Sequence, residues 1–283
     1  MEHPYYKSQL SMSQLGIQLN FRTNPGGYHP LHWHEELEIL YPLNGETDIT
    51  VEGNKYHLLK KNLTVIDSRQ VHSTYTYDPT SMLLCIHVSK SHLQNYLPEI
   101  ELYQVHCIPE LIPDSLFQEY LYICDILAEL TRLYIQDVPG FRLEAEGMVL
   151  QVISRLIRSF ASIPAAAIPD ANLQTIERIR KIITYVEDHY TENISLQDVA
   201  ELLGVGKEYF CRFFKKNMGI SFFQYLTEVR LSHIYQGLTE TDLPIAELME
   251  DNGFSNQKLF NRAFKELYGC TPSSVRKGLS LNA

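Results

Sequence analysis

The stretch YFCRFFKKNMG, residues 209–219, and the stretch LFNRAFKELYG, residues 259–269, are two copies of one pattern. Each copy follows a second matching stretch, LQDVAELLGV at 196–205 and IAELMEDNGF at 245–254. A single helix–glycine–helix pattern is usually only a helical corner. Two copies in register are hard to explain in that way, so the repeat predicts two equivalent helical units.

Each copy predicts a short helix, a turn and a longer helix that ends at a glycine. Gly204 and Gly253 stand at the two turns, where the backbone often needs a positive φ. In the longer helices, phenylalanines such as Phe260 and Phe264 recur at the spacing of a buried face. The opposite face is polar and basic, which suits a helix that enters the major groove of DNA.

The chemistry of the polar face fits base and phosphate recognition. Arginine reaches guanine in bidentate fashion, asparagine and glutamine match adenine, and lysine pairs with phosphate. Glu208 would repel phosphate unless it accepts a hydrogen bond from a cytosine amino group. The predicted DNA contacts are Lys207, Glu208, Cys211, Arg212, Lys215, Lys216, Asn256, Gln257, Lys258, Asn261, Arg262 and Lys265.

The charge is distributed unevenly along the 283 residues, whose formal net charge is −10. Residues 172–283 carry 13 Lys and Arg against 14 Asp and Glu, whereas residues 1–171 carry 11 against 20. The C-terminal part is therefore nearly neutral and has no diffuse basic field. If it binds DNA, its positive charge must be concentrated on one face.

The first 90 residues predict short antiparallel strands in a small barrel or sandwich. Runs such as GIQLNFRT, LEILYPL, TDITVEG, LTVIDS, STYTY and MLLCIHV are rich in β-branched and aromatic residues and are separated by turn pairs such as Asn44-Gly45 and Gly53-Asn54. Two amphipathic helices follow, separated by Pro139-Gly140. The first carries an apolar stripe that would pack on its own barrel, form a dimer seam, or both: Leu116, Tyr120, Ile123, Leu127, Leu130 and Tyr134.

The C-terminal part resembles the AraC/XylS-type bacterial transcription regulators. FCRFFKKNMGISFFQYL looks like the first recognition helix and linker helix of that family, and NGFSNQKLFNRAFKELYGCTPSSVRK looks like its second motif. The resemblance implies two helix-turn-helix units that read successive major grooves about 34 Å apart. It also implies a homodimer on double-stranded promoter DNA, with RNA polymerase as a protein partner, and it favours activation.

The N-terminal stretch HPLHWHEELEIL, residues 29–40, resembles the first cupin motif, which runs from Gly26 through His32, His34 and Glu38 to Gly45. His72 stands where the second cupin motif has its histidine. On one strand, residues 32, 34, 36 and 38 would share a face. His32, His34, Glu38 and His72 are therefore candidate ligands for a divalent metal, although no cofactor is required by the sequence.

Three interpretations of this pocket remain open. It binds a small polar effector, such as a sugar or related metabolite, through His32, His34, Glu38 and His72 with Trp33 as an apolar face. Alternatively it binds a metal, or its histidines are structural. The sequence therefore predicts a regulator and not an enzyme. The alternative is a metal-dependent cupin enzyme fused to a DNA-binding domain.

The sequence thus predicts an α+β protein of two domains. Residues 1–160 form a cupin-like antiparallel β-barrel with two helices, for effector binding and dimerisation. Residues 161–173 form a linker, and residues 174–283 form an all-α DNA-binding domain with two helix-turn-helix motifs. No apolar run approaches the roughly 18 residues of a membrane span, and five scattered cysteines without a C-x-x-C pattern predict reduced thiols in the cytoplasm.

Overall fold

The computed structural model describes residues 10–12, 16–23, 28–76, 81–136, 139–163 and 170–281. Two compact units are present. The sheet unit comprises Met1–Pro25, His34–Gln70 and Thr76–Ala167, and the helical unit comprises Gly26–Trp33, Val71–Tyr75 and Ile168–Ala283. Gly26 of the first cupin motif and residues 164–169 of the predicted linker lie outside the described residues. None of the helices in the described ranges is long and apolar enough to cross a membrane.

The strands are short and antiparallel, as predicted. They are β1 (Leu10–Met12), β2 (Ile17–Thr23), β3 (Tyr28–His32), β4 (Leu37–Asn44), β5 (Thr47–Val51), β6 (Asn54–Leu58), β7 (Thr64–Ile66), β8 (His72–Thr76), β9 (Met82–Val88), β10 (Gln104–Val105) and β11 (Ala161–Ser162). One sheet has the order β1-β2-β9-β4-β7, and β5 pairs with β6 in a hairpin. In the part of the chain that the structure describes, the strands form a cupin-like sandwich and do not close into the predicted barrel.

The five-stranded sheet is covered on both faces. Leu40 and Ile66 on one face pack against Ile49 and Leu58 of the β5–β6 hairpin. The other face packs against the two long helices that follow the short α1 (Lys90–Leu93), namely α2 (Phe117–Gln136) and α3 (Phe141–Phe160). Period-2 alternation along the strands supplies apolar side chains to both layers.

The predicted apolar stripe of α2 is buried on its own protomer. Tyr120, Ile123, Leu127 and Leu130 are at most 4% exposed and pack on the sheet. Of the packings left open for this stripe, the structure shows the one on its own sheet, so these four residues do not form a dimer seam, because the apolar face of the sheet requires them as its cover. That the protein forms a homodimer stays a prediction, but the stripe of α2 is not its interface.

Local signals predicted some strands and missed others. β3 and β6 were not predicted, because β3 contains Pro30 and β6 is mostly polar and solvent-facing. The turn between β5 and β6 was placed one residue too late. Its two central residues are Glu52 and Gly53, with φ values of 48° and 81°, as the twist of a tight hairpin favours.

The C-terminal chain is helical, as predicted. The helices are α4 (Asp170–His189), α5 (Leu196–Leu202), α6 (Lys207–Met218), α7 (Phe222–Glu240), α8 (Ile245–Asp251), α9 (Gln257–Tyr268) and α10 (Pro272–Leu281). Ser195 and Asp198 form a capping box at the start of α5, and Ser221 caps α7. The α5–α6 and α8–α9 pairs are the two predicted helix-turn-helix units.

Helix α7 holds the helical unit together because two hydrophobic cores share it. Tyr225 and Val229 pack in the first core, with α4, α5 and α6. Leu231, Ile234 and Leu238 pack in the second, with α8 and α9. The two helix-turn-helix pairs are thus anchored on successive turns of one helix.

Strand β3, which pairs with β8, packs in this unit against α7. The Tyr225 hydroxyl donates to the Leu31 carbonyl at 2.9 Å, and the Tyr28 hydroxyl donates to Glu228 Oε2 at 2.7 Å. Gln224 Nε2 donates to the other Glu228 oxygen at 3.1 Å. Glu228 is 9% exposed, so these two bonds solvate a buried carboxyl group.

The two turn glycines provide a test of how tightly the second repeat is fixed. Both have positive φ, 65° at Gly204 and 77° at Gly253. A Cβ on Gly253 would lie 2.9 Å from Arg230 Cζ and from the Thr191 carbonyl oxygen, whereas a Cβ on Gly204 would meet nothing within 4 Å. We expect Gly204→Ala to cost about 1–2 kcal/mol in free energy of unfolding, from the left-handed backbone alone.

Gly253→Ala should lower the free energy of unfolding by more than Gly204→Ala, its matched control. Arg230 cannot easily move away from the new Cβ, because it is fixed by bonds to the Tyr190 and Glu192 carbonyls, each at 2.6 Å. Denaturant unfolding of the full chain measures both variants. Equal losses would show that the contacts at Gly253 are relaxed at little cost.

The buried carboxyl of Glu228 should make stability depend on pH. Burial raises the pKa of Glu228 above its ordinary value, although the bonds from Tyr28 and Gln224 favour the ionised form. The folded state therefore binds more protons than the unfolded state between the two pKa values. Stability should fall as pH rises through that window.

Glu228→Gln should remove this contribution while keeping an oxygen that accepts from Tyr28. The difference in free energy of unfolding between the variant and the wild type should grow in the variant's favour from pH 4 to pH 8. Glu240→Gln, at an exposed position of the same helix, is the control and should show no such trend. A flat difference for Glu228→Gln would contradict the prediction.

Candidate functional site

All twelve predicted DNA-contact residues are solvent-exposed. Helices α6 and α9 carry seven of the 13 Lys and Arg of residues 172–283 but only two of the 14 Asp and Glu. The positive charge of a nearly neutral segment is thus concentrated on these two helices. Concentration of this kind is what a phosphate-binding face requires.

The starts of α6 and α9, which are the two predicted recognition helices, differ. Gly206 begins α6 without a side-chain cap, whereas the Asn256 side-chain oxygen accepts from the backbone N–H groups of Lys258 and Leu259 at 3.0 and 3.1 Å. Asn256 was predicted as a DNA contact. Its side-chain oxygen caps α9, which the sequence signals by an asparagine placed just before the apolar pattern, and the DNA contact stays a prediction.

The two matching arginines also differ in their surroundings. Arg212 makes no ion pair with any residue that the structure describes, whereas Arg262 Nε donates to Glu266 Oε1 at 2.8 Å. Lys216 occupies in α6 the position that Glu266 occupies in α9. Because the Arg262–Glu266 pair is fully exposed, its loss costs little, and Arg262 remains available to a DNA base.

The histidine-rich segment does not run as one strand. β3 ends at His32, β4 begins at Leu37, and the residues between them bend. The bend is fixed by His34, whose Nδ1 bonds the Glu36 carbonyl at 2.9 Å and whose own carbonyl accepts from the Arg69 N–H at 2.8 Å. The expectation that residues 32, 34, 36 and 38 share one strand face was therefore wrong.

The sheet unit nevertheless brings His34 and Glu38 together, with His87 as a third member. His34 Nε2 lies 3.5 Å from Glu38 Oε2, and His87 Nε2 lies 3.3 Å from Glu38 Oε1. Glu38 and His87 are direct cross-strand partners on β4 and β9. Glu38 is 1% exposed, so its carboxylate is surrounded by protein and faces two imidazoles.

This arrangement perturbs the titration of His34. Burial lowers its pKa, but the hydrogen bond and charge of Glu38, with a smaller effect of Glu36, outweigh burial and raise the pKa above its ordinary value. A positive charge next to the Glu38 carboxylate is thus favoured. The three side chains form a group able to hold a metal ion.

The other predicted pocket residues lie in the helical unit. His32 and His72 are cross-strand partners on β3 and β8, with ring centroids 4.1 Å apart. Trp33 packs against the helical core, with Arg180 Cζ 5.6 Å from its ring. Within the sheet unit His34 thus lies with Glu38, and within the helical unit His32 lies with His72 while Trp33 packs against helices.

His87 is the functional candidate that the sequence prediction missed. It lies in MLLCIHV, where Leu84, Ile86 and Val88 face the helices and Cys85 faces the hairpin. A histidine in phase with Cys85 is a polar residue on a buried strand face. The sequence shows this polar residue in an apolar strand, but it does not show that β9 pairs with β4 and brings His87 next to Glu38.

Comparison with known families matches both parts of the chain. Residues 15–153 match the AraC-like ligand binding domain, and residues 199–278 match a helix-turn-helix domain. The second match contains both recognition helices.

Individual proteins give a consistent result. An uncharacterized HTH-type transcriptional regulator of Staphylococcus aureus strain COL is 22% identical over 241 residues, covering 85% of this chain and 31% of that protein. The Msm operon regulatory protein of Streptococcus mutans is 26% identical and covers 48% of each chain. The chain therefore spans less than a third of the length of the staphylococcal relatives that it matches.

One solved structure matches along nearly the whole length. An apo ToxT variant from Vibrio cholerae covers 98% of this chain and 100% of its own, with a TM-score of 0.52 and 13% identity. At that identity the likeness concerns the fold alone. It supports the succession of a sandwich and a helical domain along the chain.

Proposed function

The chain belongs to the AraC-type transcriptional regulators, and we propose that it binds double-stranded promoter DNA and activates transcription in response to a small molecule. The observation that carries this proposal is the pair of exposed basic helices, α6 and α9, at matching places in two repeats. Both repeats are anchored on α7. The N-terminal domain acts in this proposal as a sensor and not as an enzyme.

Each recognition helix divides the work between its residues. Arg212 and Arg262 occupy matching positions near the middle of the two exposed faces and read bases. Lys215 and Lys265 follow them by three residues and contact the phosphate backbone. Base contacts determine sequence preference, whereas backbone contacts contribute affinity for any sequence.

The effector in this proposal is a small polar molecule such as a sugar or a related metabolite. Its support is a row of polar side chains across neighbouring strands, in which Gln18 of β2 pairs with His87, and His87 pairs with Glu38. Such groups match the hydroxyls of a sugar as donors and acceptors. Leu40 of β4 and Cys85 of β9 lie on the same strand face, two residues from Glu38 and His87. They are apolar, so the row of polar side chains ends there on these two strands.

The DNA-binding prediction is tested with duplexes that the full chain selects from a random pool. Titration of a selected, labelled duplex should show that Arg212→Ala and Arg262→Ala each lose about 1–3 kcal/mol and relax the preference at one base pair. Lys265→Ala should weaken selected and unrelated duplexes alike, and should flatten the slope of log affinity against log salt by about one unit.

Lys181→Ala is the matched control, because Lys181 is an exposed cation on α4 and belongs to neither recognition helix. It should leave affinity and salt slope unchanged. If both arginine variants bind the selected duplex as well as the wild type does, α6 and α9 are not the base-reading helices.

The effector prediction is tested by thermal unfolding of the full chain with a panel of monosaccharides and their acid and phosphate derivatives, in the presence of a metal chelator. A ligand that binds only the folded state stabilises it by about 2.7 kcal/mol at a hundred times its Kd. Glu38→Gln should reduce the shift in melting temperature that the active sugar produces. A panel without any shift would contradict the choice of a sugar.

A further inference from the structure

The cluster of His34, Glu38 and His87 has the composition of a metal site. Its ligand atoms all lie within 4.8 Å of one another. Two imidazole nitrogens and one carboxylate suit divalent first-row transition ions. This set differs from the one expected from the cupin resemblance, because it includes His87 of β9.

The distances in this cluster match those around a small ion. Zinc lies about 2.0–2.1 Å from imidazole nitrogens and about 2.0–2.2 Å from carboxylate oxygens, so ligand atoms on a tetrahedron are roughly 3.4 Å apart. The two contacts to Glu38 measure 3.5 Å from His34 Nε2 and 3.3 Å from His87 Nε2. Both are close to this edge length, although they run to different oxygens of the carboxylate, so one of these oxygens would serve as the ligand of a tetrahedral ion.

The orientation of His34 is also that of a metal ligand. A carbonyl oxygen only accepts, so the 2.9 Å contact with the Glu36 carbonyl places a proton on His34 Nδ1. Metal-binding histidines usually fix their other ring nitrogen by such a bond, which directs the free lone pair at the ion. Here Nε2 faces Glu38 Oε2 at 3.5 Å, so an ion bound between the two groups would take a ligand atom from each.

The backbone holds the three side chains in place. The His34 carbonyl accepts from Arg69 N–H, and the Arg69 Nε donates to Glu35 Oε2 at 2.7 Å, which ties the bend to the loop after β7. Glu38 and His87 are held by adjacent strands in the sheet. His87 Nδ1 is buried and has no hydrogen-bond partner among the described residues. The polar contact of this ring is therefore the one that Nε2 makes with Glu38.

We propose that His34, Glu38 and His87 bind one divalent transition-metal ion, with zinc as the reference ion. Three protein ligands leave at least one coordination position for water or for an oxygen of an effector. The inference does not depend on DNA binding. Its failure would leave the proposed role of α6 and α9 intact, and the reverse also holds.

The test uses the full chain after dialysis against a chelator. Calorimetric titration with Zn²⁺ should show one equivalent, and Zn²⁺ should raise the melting temperature. His87→Ala, His87→Gln and Glu38→Gln should each weaken Zn²⁺ binding by about a hundredfold or more and abolish the thermal shift. Co²⁺ should give a visible absorption band that the same variants lack.

Two controls separate this site from other histidines. His57 lies on the surface beside Asp48 and Glu46, at 2.6 and 3.1 Å, and could bind Zn²⁺ adventitiously. His57→Ala removes this surface site and should still bind one equivalent of Zn²⁺. His72→Gln tests the ligand set that the sequence predicted, and it should also retain the ion. His87→Gln keeps a polar side chain of similar length if His87→Ala fails to fold.

The outcomes are decisive for the ligand set. Absence of Zn²⁺ binding in the wild type, or retention of the ion by folded His87→Gln and Glu38→Gln, would overturn the proposal. Loss of the ion in His57→Ala would assign it to the surface. Loss in His72→Gln with retention in His87→Gln would restore the ligand set expected from the sequence.

Discussion

The function of the helical unit depends on pairs of phenylalanines, one helical turn apart, that are fully buried in each recognition helix. Phe210 and Phe214 in α6, and Phe260 and Phe264 in α9, have no exposed surface. Phe210 and Phe214 lie 5.5 and 5.6 Å from the ring of Phe222 at the start of α7. Because a helix turns about 100° per residue, burial of these positions fixes the opposite face toward solvent.

Helix α7 carries both anchors and is shaped by them. Its N-terminal half is buried in one core and its C-terminal half in the other, through residues on different faces. A helix with this role has apolar residues around much of its circumference, so its sequence lacks a single apolar stripe. The close contact of Gly253 with Arg230 of α7 adds a second constraint, one that the first repeat lacks.

Repetition made the helical half predictable from the sequence. Two aligned copies predicted the helices, both turn glycines and the exposed face. What could not be predicted was which polar residues the protein itself uses. Asn256 caps its helix and Arg262 pairs with Glu266, whereas the matching Gly206 and Arg212 do neither. These differences lie in local geometry, which alignment of the two copies does not reveal.

The sheet half shows why a linear motif is a weaker guide than a repeat. Spacing along one strand placed His32, His34 and Glu38 on one face, but that reasoning requires an unbroken strand, and the chain bends after His32. Once β4 begins at Leu37, the partner of Glu38 is set by the register with β9, which brings in His87 from a position 49 residues further along the chain. Register is determined by the whole alternating pattern of both strands and by their turns. A carboxylate that is buried by this register must be neutralised by what the neighbouring strand supplies, so the chemistry of the site follows from strand pairing rather than from the motif.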